Sequence, residues 1–297
     1  MIRSIPRHDL NREPEEDLWE ENRASRDTWS NRLDTEDAST IYFSLPSLYL
    51  DAMFSVEADP DAAQVDTWEA WVTAMQMHHA MFAMTTNPPG TELELMVNHQ
   101  VRHPKATGPR YCTNASNWLT AFFLAVVCRD QKRYRELCEI SVDRLREAGE
   151  SEGTQYNPFT YHWISALQAF VLNRPGLGEE LLAAMELSAP DRAGIGSPEL
   201  LGMIVFPPMN AFLRLVERDT EKFNDALAQG LELFRDYQIS DAKRAQDIEG
   251  VVSLPLLALA CLAYDTAQVD PDFRLEVESG YLPKHLLQRS WYGEFPV

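Results

Sequence analysis

Apolar residues return every three or four positions along most of the chain, and the period shortens to two in one place only. The densest stretch runs from Cys112 to Ile140. Behind a cap at Thr113 or Asn114, Trp118, Leu119, Phe122, Phe123, Val126 and Val127 leave hardly any polar face. Such a helix has to be buried on nearly all sides. Arg129-Asp130-Gln131 interrupts it as a tight polar turn, and Tyr134, Leu137 and Cys138 resume as a second helix packed back on the first.

Upstream, residues 1–12 read as a loose arm. Glu13 to Leu33 reads as a helix, with Pro14 in the first turn and Glu15, Glu16 and Asp17 at its positive end. Leu18, Trp19, Trp29 and Leu33 are its only large apolar groups, so it is mostly solvated. Pro46 starts the next helix, which runs to Val56. Asp59-Pro60 opens a long amphipathic one whose apolar face, from Trp68 through Phe82, continues to Met84. Asn87-Pro88-Pro89-Gly90 stops it. From Thr91 to Arg102, Leu93, Leu95 and Val97 alternate with Glu92, Glu94 and Met96, and Asn98-His99 turns the chain. This is a small β-hairpin or a single strand.

Downstream, Pro158 opens a helix that Pro175-Gly176 ends, and Glu179 to Leu187 is its short partner. Ser197-Pro198 caps a helix that breaks at Pro207-Pro208 and resumes from Met209 to Val216. Thr220 to Tyr237 and the nearly all-apolar Asp247 to Tyr264 follow, with Pro255 kinking or starting the latter. Paired helices recur roughly every forty residues, the spacing of tetratricopeptide or HEAT units. The expected fold is therefore all-α, an irregular antiparallel array of helical hairpins with one β-hairpin near 91–102. It forms a single domain over 1–297, with 1–35 loosely attached. Both a solenoid and one closed core fit this pattern.

Composition narrows the chemistry. The chain has 297 residues, 45% of them apolar, and a formal charge of −20. Residues 1–70 hold 17 acidic and 6 basic side chains, net −11, leaving −9 for the rest. A negative surface repels nucleic acid and anionic membranes and attracts basic partners. No stretch approaches the ~20 apolar residues that span a bilayer. The first residues lack a secretory apolar region, so a cytoplasmic location is expected. Cys112, Cys128, Cys138 and Cys261 fit as small core residues.

Phosphate-binding glycine loops and the G-x-S-x-G elbow are absent. His99 and His103 have ligand spacing, but His103 precedes Pro104 in extended chain. His78 and His79 point to different faces, and His162 lies between Tyr161 and Trp163. No metal, cofactor or catalytic residue is expected. Arg129-Asp130 and Lys132-Arg133 read as a structural corner. Trp19 and Trp29 either staple the first helix to the body or, beside its carboxylates, anchor a basic partner.

The stretch from Asn114 to Ile140, NASNWLTAFFLAVVCRDQKRYRELCEI, resembles the signature of the immunity protein 49 family, bacterial proteins that accompany toxins in polymorphic toxin systems. The resemblance is clearest from Thr107 to Phe170 and fades toward both ends. It rests on the Ala-Thr-Gly-Pro before the helix, Trp118, Ala121 and Phe122, Cys128-Arg129-Asp130, and Tyr161 to Trp163. It implies an α-helical immunity protein that binds a cognate toxin and blocks it. The acidic composition suits a basic toxin. The contact is expected at Glu15, Glu16, Asp17, Trp19, Glu20, Glu21 and Trp29, and at the mouth near the hairpin. A helical-repeat adaptor with a peptide groove is the alternative.

Overall fold

A computed structural model of the chain describes residues 2–10 and 17–293. Strand β1 (Arg3–Ile5) comes first, then α1 (Leu18–Arg32), α2 (Ala38–Ala58) and α3 (Val65–Thr86). A hairpin of β2 (Leu95–Val97) and β3 (Gln100–Arg102) leads to α4 (Ala115–Val127), α5 (Gln131–Cys138) and α6 (Val142–Gly149). Next come α7 (Pro158–Leu172), α8 (Leu177–Leu187), the one-turn α9 (Pro198–Leu200), α10 (Phe206–Val216) and α11 (Thr220–Ile239). Helix α12 (Leu254–Val269), strand β4 (Val277–Ser279) and the short α13 (Lys284–Leu287) complete the order. The fold is mostly α-helical with one small β-hairpin, as the periodicity predicts. The described residues fall into two compact units. An amino-terminal unit comprises Pro14–Gln155 with Arg289–Val297, and a carboxy-terminal unit comprises Tyr156–Gln288 with Met1–Glu13.

In the amino-terminal unit, α4 is the buried centre. Asn114 is the cap, its side chain accepting from the Asn117 N–H at 2.9 Å. Trp118 is fully buried and stacks on Phe122 at 5.0 Å, and its indole N–H donates to the Leu137 carbonyl at 2.8 Å. That bond fastens α5 back along α4. Arg129 makes the reversal in a left-handed conformation, φ 57°, the backbone state that commonly ends a helix. Its guanidinium donates to the Val127 carbonyl at 2.8 Å, and Asp130 caps α5 by accepting from the Arg133 N–H.

Two boundaries in this unit differ from expectation. Pro46 lies inside α2 instead of starting it. Asp37 supplies the earlier start, accepting from the Thr40 N–H at 2.9 Å. Burial of Ile41, Leu45, Leu48, Met53 and Val56 outweighs the about 3 kcal/mol that an interior proline costs. Helix α3 begins at Val65 rather than at Pro60, although Asp59 still serves as its cap from a distance. The Asp59 carboxylate accepts from the Gln64 N–H at 2.8 Å and the Thr67 hydroxyl at 2.7 Å. All four cysteines are buried free thiols. Burial pushes Cys112 up to about 11, so it stays protonated.

In the carboxy-terminal unit, α7 pairs with α8 and α10 with α11. Trp163 and Phe170 meet Phe212 edge-on, each at 5.2 Å. The helix from Ser197 does not break at Pro207-Pro208. A π-helical turn at Leu201–Val205 precedes the prolines, and the Phe206 N–H reaches back five residues to Leu201. The wider turn accommodates two residues that cannot donate. Pro255 starts α12, as one of its two expected roles has it. Residues 3–5 are not a loose arm: β1 pairs in parallel with β4, Arg3 opposite Val277. His8 anchors the same segment to Tyr281, with Nδ1 2.7 Å from the phenol oxygen. Two helical runs here, Pro198–Val216 and Ile248–Val269, do reach the length and mean hydropathy of a bilayer span, contrary to the expectation from the sequence. The second has 67% of its most apolar window buried.

The keystone status of Trp118 is testable. Trp118→Phe removes ring volume and the bond to Leu137, and should cost roughly 2–3 kcal/mol. Urea unfolding followed by circular dichroism measures this; wild-type stability would show that α4 is not the unit's anchor.

Candidate partner-binding face

Helix α1 turns an unusual stripe inward. Leu18, Asn22, Arg26 and Ser30, spaced by four, are all buried, and three of them are polar. Arg26 is only 2% exposed, with a terminal nitrogen 3.4 Å from Glu69 and 4.0 Å from Asp66 of α3. Arg23 donates to Asp66 at 2.8 Å at the solvent edge. Asn22 donates to the Asp51 carbonyl of α2 at 3.3 Å. A buried guanidinium has to be matched by carboxylates, and here α3 supplies them.

Of the expected contact residues, the carboxylates lie away from this stripe and the two tryptophans flank it. Asp17, Glu20 and Glu21 are exposed, whereas Trp19 and Trp29 are half-buried. Glu15 and Glu16 lie outside the described residues. The Arg32 guanidinium already covers Trp29, 4.6 Å from the ring centroid. Trp29 is nine residues beyond Glu20, about 14 Å along a helix axis. The carboxylates therefore gather at the first turn and Trp29 stands apart from them. Charge along α1 itself is balanced, Glu20, Glu21 and Asp27 against Arg23, Arg26 and Arg32. The acidic excess belongs to its amino end.

The β-hairpin is clamped beside this helix. Asn98 and His99 form its two-residue turn with φ of 49° and 61°, the geometry that suits a strand reversal. Asn98 donates from its side chain to Asp27 at 2.8 Å and from its backbone to Gln76 at 2.8 Å. Arg102 pairs with Asp34 at 3.4 Å, and the His103 N–H donates to the same carboxylate. On the other flank, buried Arg133 pairs with Asp130 and donates to the Met96 carbonyl at 2.7 Å. Between β2 and the α4–α5 corner opens a cleft of about 360 Å³, walled by Glu94, Met96, Arg129, Lys132, Glu136 and Tyr292 among others. Its walls carry both signs of charge.

Three of the histidines go to separate carboxylates. His79 Nε2 lies 2.8 Å from Glu136, His99 Nε2 3.4 Å from Glu69, and His162 Nδ1 2.7 Å from Glu180. His99 and His103 lie in and beside the hairpin, not on a helix. Among the described residues no group of three or more His, Cys, Asp or Glu is placed to hold a metal ion. The hydrogen bond from His79 holds Glu136 below the usual carboxylate range.

Asp51 was missed by sequence reasoning. It lies half-buried on α2 against Ser25 and Arg26, and burial pushes its carboxyl up to about 6. Among the described residues, one of its oxygens has no hydrogen-bond partner. The four-residue spacing of Asn22, Arg26 and Ser30 was the available clue that α1 buries a polar stripe.

A family model described as Immunity protein 49 matches residues 59–286. That reaches well beyond the Thr107–Phe170 stretch where the resemblance is clearest. No curated protein and no solved structure matches the chain.

Because the Asp51 carboxyl is raised, its proton is favoured in the folded state. The stability it confers is complete below about 4 and is lost as pH rises through about 6. Asp51→Asn, which mimics the protonated form, should therefore stabilise the protein at pH 7.5 by about 1–2 kcal/mol, reduced from the full shift because water still reaches the group. The gain should vanish near pH 3.5. Melting curves at both pH values check this; a destabilised variant at pH 7.5 would mean the Arg26 attraction outweighs burial.

Proposed function

The chain belongs to the immunity protein 49 family, and from that premise we propose that it neutralises its toxin by stoichiometric binding through the outer face of the amino-terminal unit. Membership makes it an immunity protein of a toxin system, with a toxin as partner. The observation that carries the binding reading is the exposed acidic first turn of α1, held on the body by buried Arg26 and its half-buried partner Glu69. A rigid mount matters because a preorganised surface loses less entropy on association.

The toxin surface that fits is basic. Carboxylates at Asp17, Glu20 and Glu21, with Glu15 and Glu16 before them in sequence, steer its approach. The hairpin and the adjoining cleft form the second part of the contact. The cleft's mixed charge provides paired polar contacts rather than steering. The same reading carries a cytoplasmic location and no partner among nucleic acids or membranes, in keeping with the net charge of −20.

Charge reversal tests it. Glu15→Lys, Glu16→Lys, Glu20→Lys and Glu21→Lys together should slow association with the toxin encoded beside this chain's gene by about ten-fold at low salt and flatten its salt dependence. Stopped-flow or biosensor kinetics read both. Unchanged on-rates would remove this turn from the interface.

A further inference from the structure

Helix α2 turns Ile41, Ser44, Leu45 and Leu48 inward. Phe43 is consequently carried to the opposite side, where it is 68% exposed. That is far more than Trp19 or Trp29, both half-buried. Its ring does not stand alone. Tyr42 lies 5.6 Å from Phe43 at a tilt of 52°, and 5.5 Å from Tyr111 nearly edge-on, at 87°. Three aromatic rings thus make one patch from the start of α2 and the loop before α4, all within the amino-terminal unit.

The surroundings are negative. Glu36 and Asp37 precede α2 and are exposed, as is Glu152; burial first, with Glu152 and Asp37 adding to it, raises the Tyr111 hydroxyl above its usual range. Arg110 is the neighbouring cation in sequence. The 21 residues of α2 include no lysine or arginine. An exposed aromatic face bordered by carboxylates attracts a guanidinium or ammonium twice over, through the ring quadrupole and through the net field. An exposed aromatic is also the side-chain type that most often dominates an interface once it is desolvated.

We infer that the Tyr42–Phe43–Tyr111 patch is the aromatic anchor of the toxin contact and receives an arginine or lysine side chain of a basic partner. The inference rests on the binding reading above and moves its anchor from the tryptophans of α1 to α2. Steering stays with the first turn of α1; the patch governs how long the complex lasts.

The test uses the full chain and the toxin encoded by the neighbouring gene, with affinity and dissociation rate measured by biosensor. Phe43→Ala should weaken binding about ten-fold or more, chiefly through faster dissociation. Phe43→Lys should weaken it further by like-charge repulsion, and Phe43→Trp should keep it near wild type. Melting temperatures of all three should stay close to wild type, because the side chain is solvent-exposed. Wild-type affinity in Phe43→Ala and Phe43→Lys, with the fourfold lysine variant of α1 still slow to associate, overturns the patch and leaves the binding reading standing. No binding of that toxin by the wild-type chain overturns both.

Discussion

From Ala121 onward, helix α4 has no side on which water is tolerable, and the amino-terminal unit is arranged to meet that demand. Trp118, Ala121, Phe123 and Leu124 point in different directions, yet each is buried. α3, α5 and α6 pack around it. Backbone polar groups cannot be left bare in such a place, so the ends of α4 are closed by side chains, Asn114 at the start and Arg129 just past the end. The Trp118 indole meets the Leu137 carbonyl for the same reason. The motif that carries the family resemblance is thus a set of packing and capping positions. Close packing constrains such positions, which is what makes the motif recognisable.

Outside this core, buried and half-buried polar groups fix where the outer elements of this unit sit. Arg26, Asp51 and Gln76 are ionic or amide side chains in places where apolar ones would pack more cheaply. Each joins separate elements: Arg26 ties α1 to α3, Asp51 lies on α2 against α1, and Gln76 holds the hairpin turn. Arg133 does the same between the α4–α5 corner and β2. Polar links of this kind are directional, so they set the position of a helix or hairpin more sharply than apolar contact alone. The proposed interface, a few carboxylates and one aromatic patch, would benefit from that definition.

Family membership implies a toxin as partner, and the acidic amino end is what the proposed contact adds to it. The division of labour follows from range. Coulomb attraction between exposed charges reaches about a Debye length, roughly 8–10 Å at ordinary salt, and so acts on approach. Contact with an aromatic ring acts only after docking. The first turn of α1 suits the former and Phe43 the latter, and these two features sit on adjacent helices of one unit.

Sequence periodicity by itself determined the helical class, the period-two hairpin, the central helix and its corner, because these depend on local spacing and on caps within a few residues. Asn98-His99, Asn114 and Asp130 all serve at the positions their local sequence assigns them. Tertiary structure decided the rest. It kept Pro46 inside a helix by burying the residues around it, fitted Pro207-Pro208 behind a π turn, and paired β1 with a strand more than 270 residues away. It also decided which side of α1 faces inward and which aromatic stays in water. Those outcomes depend on what lies across the fold from each side chain, and pairing over such separations leaves no local period to read.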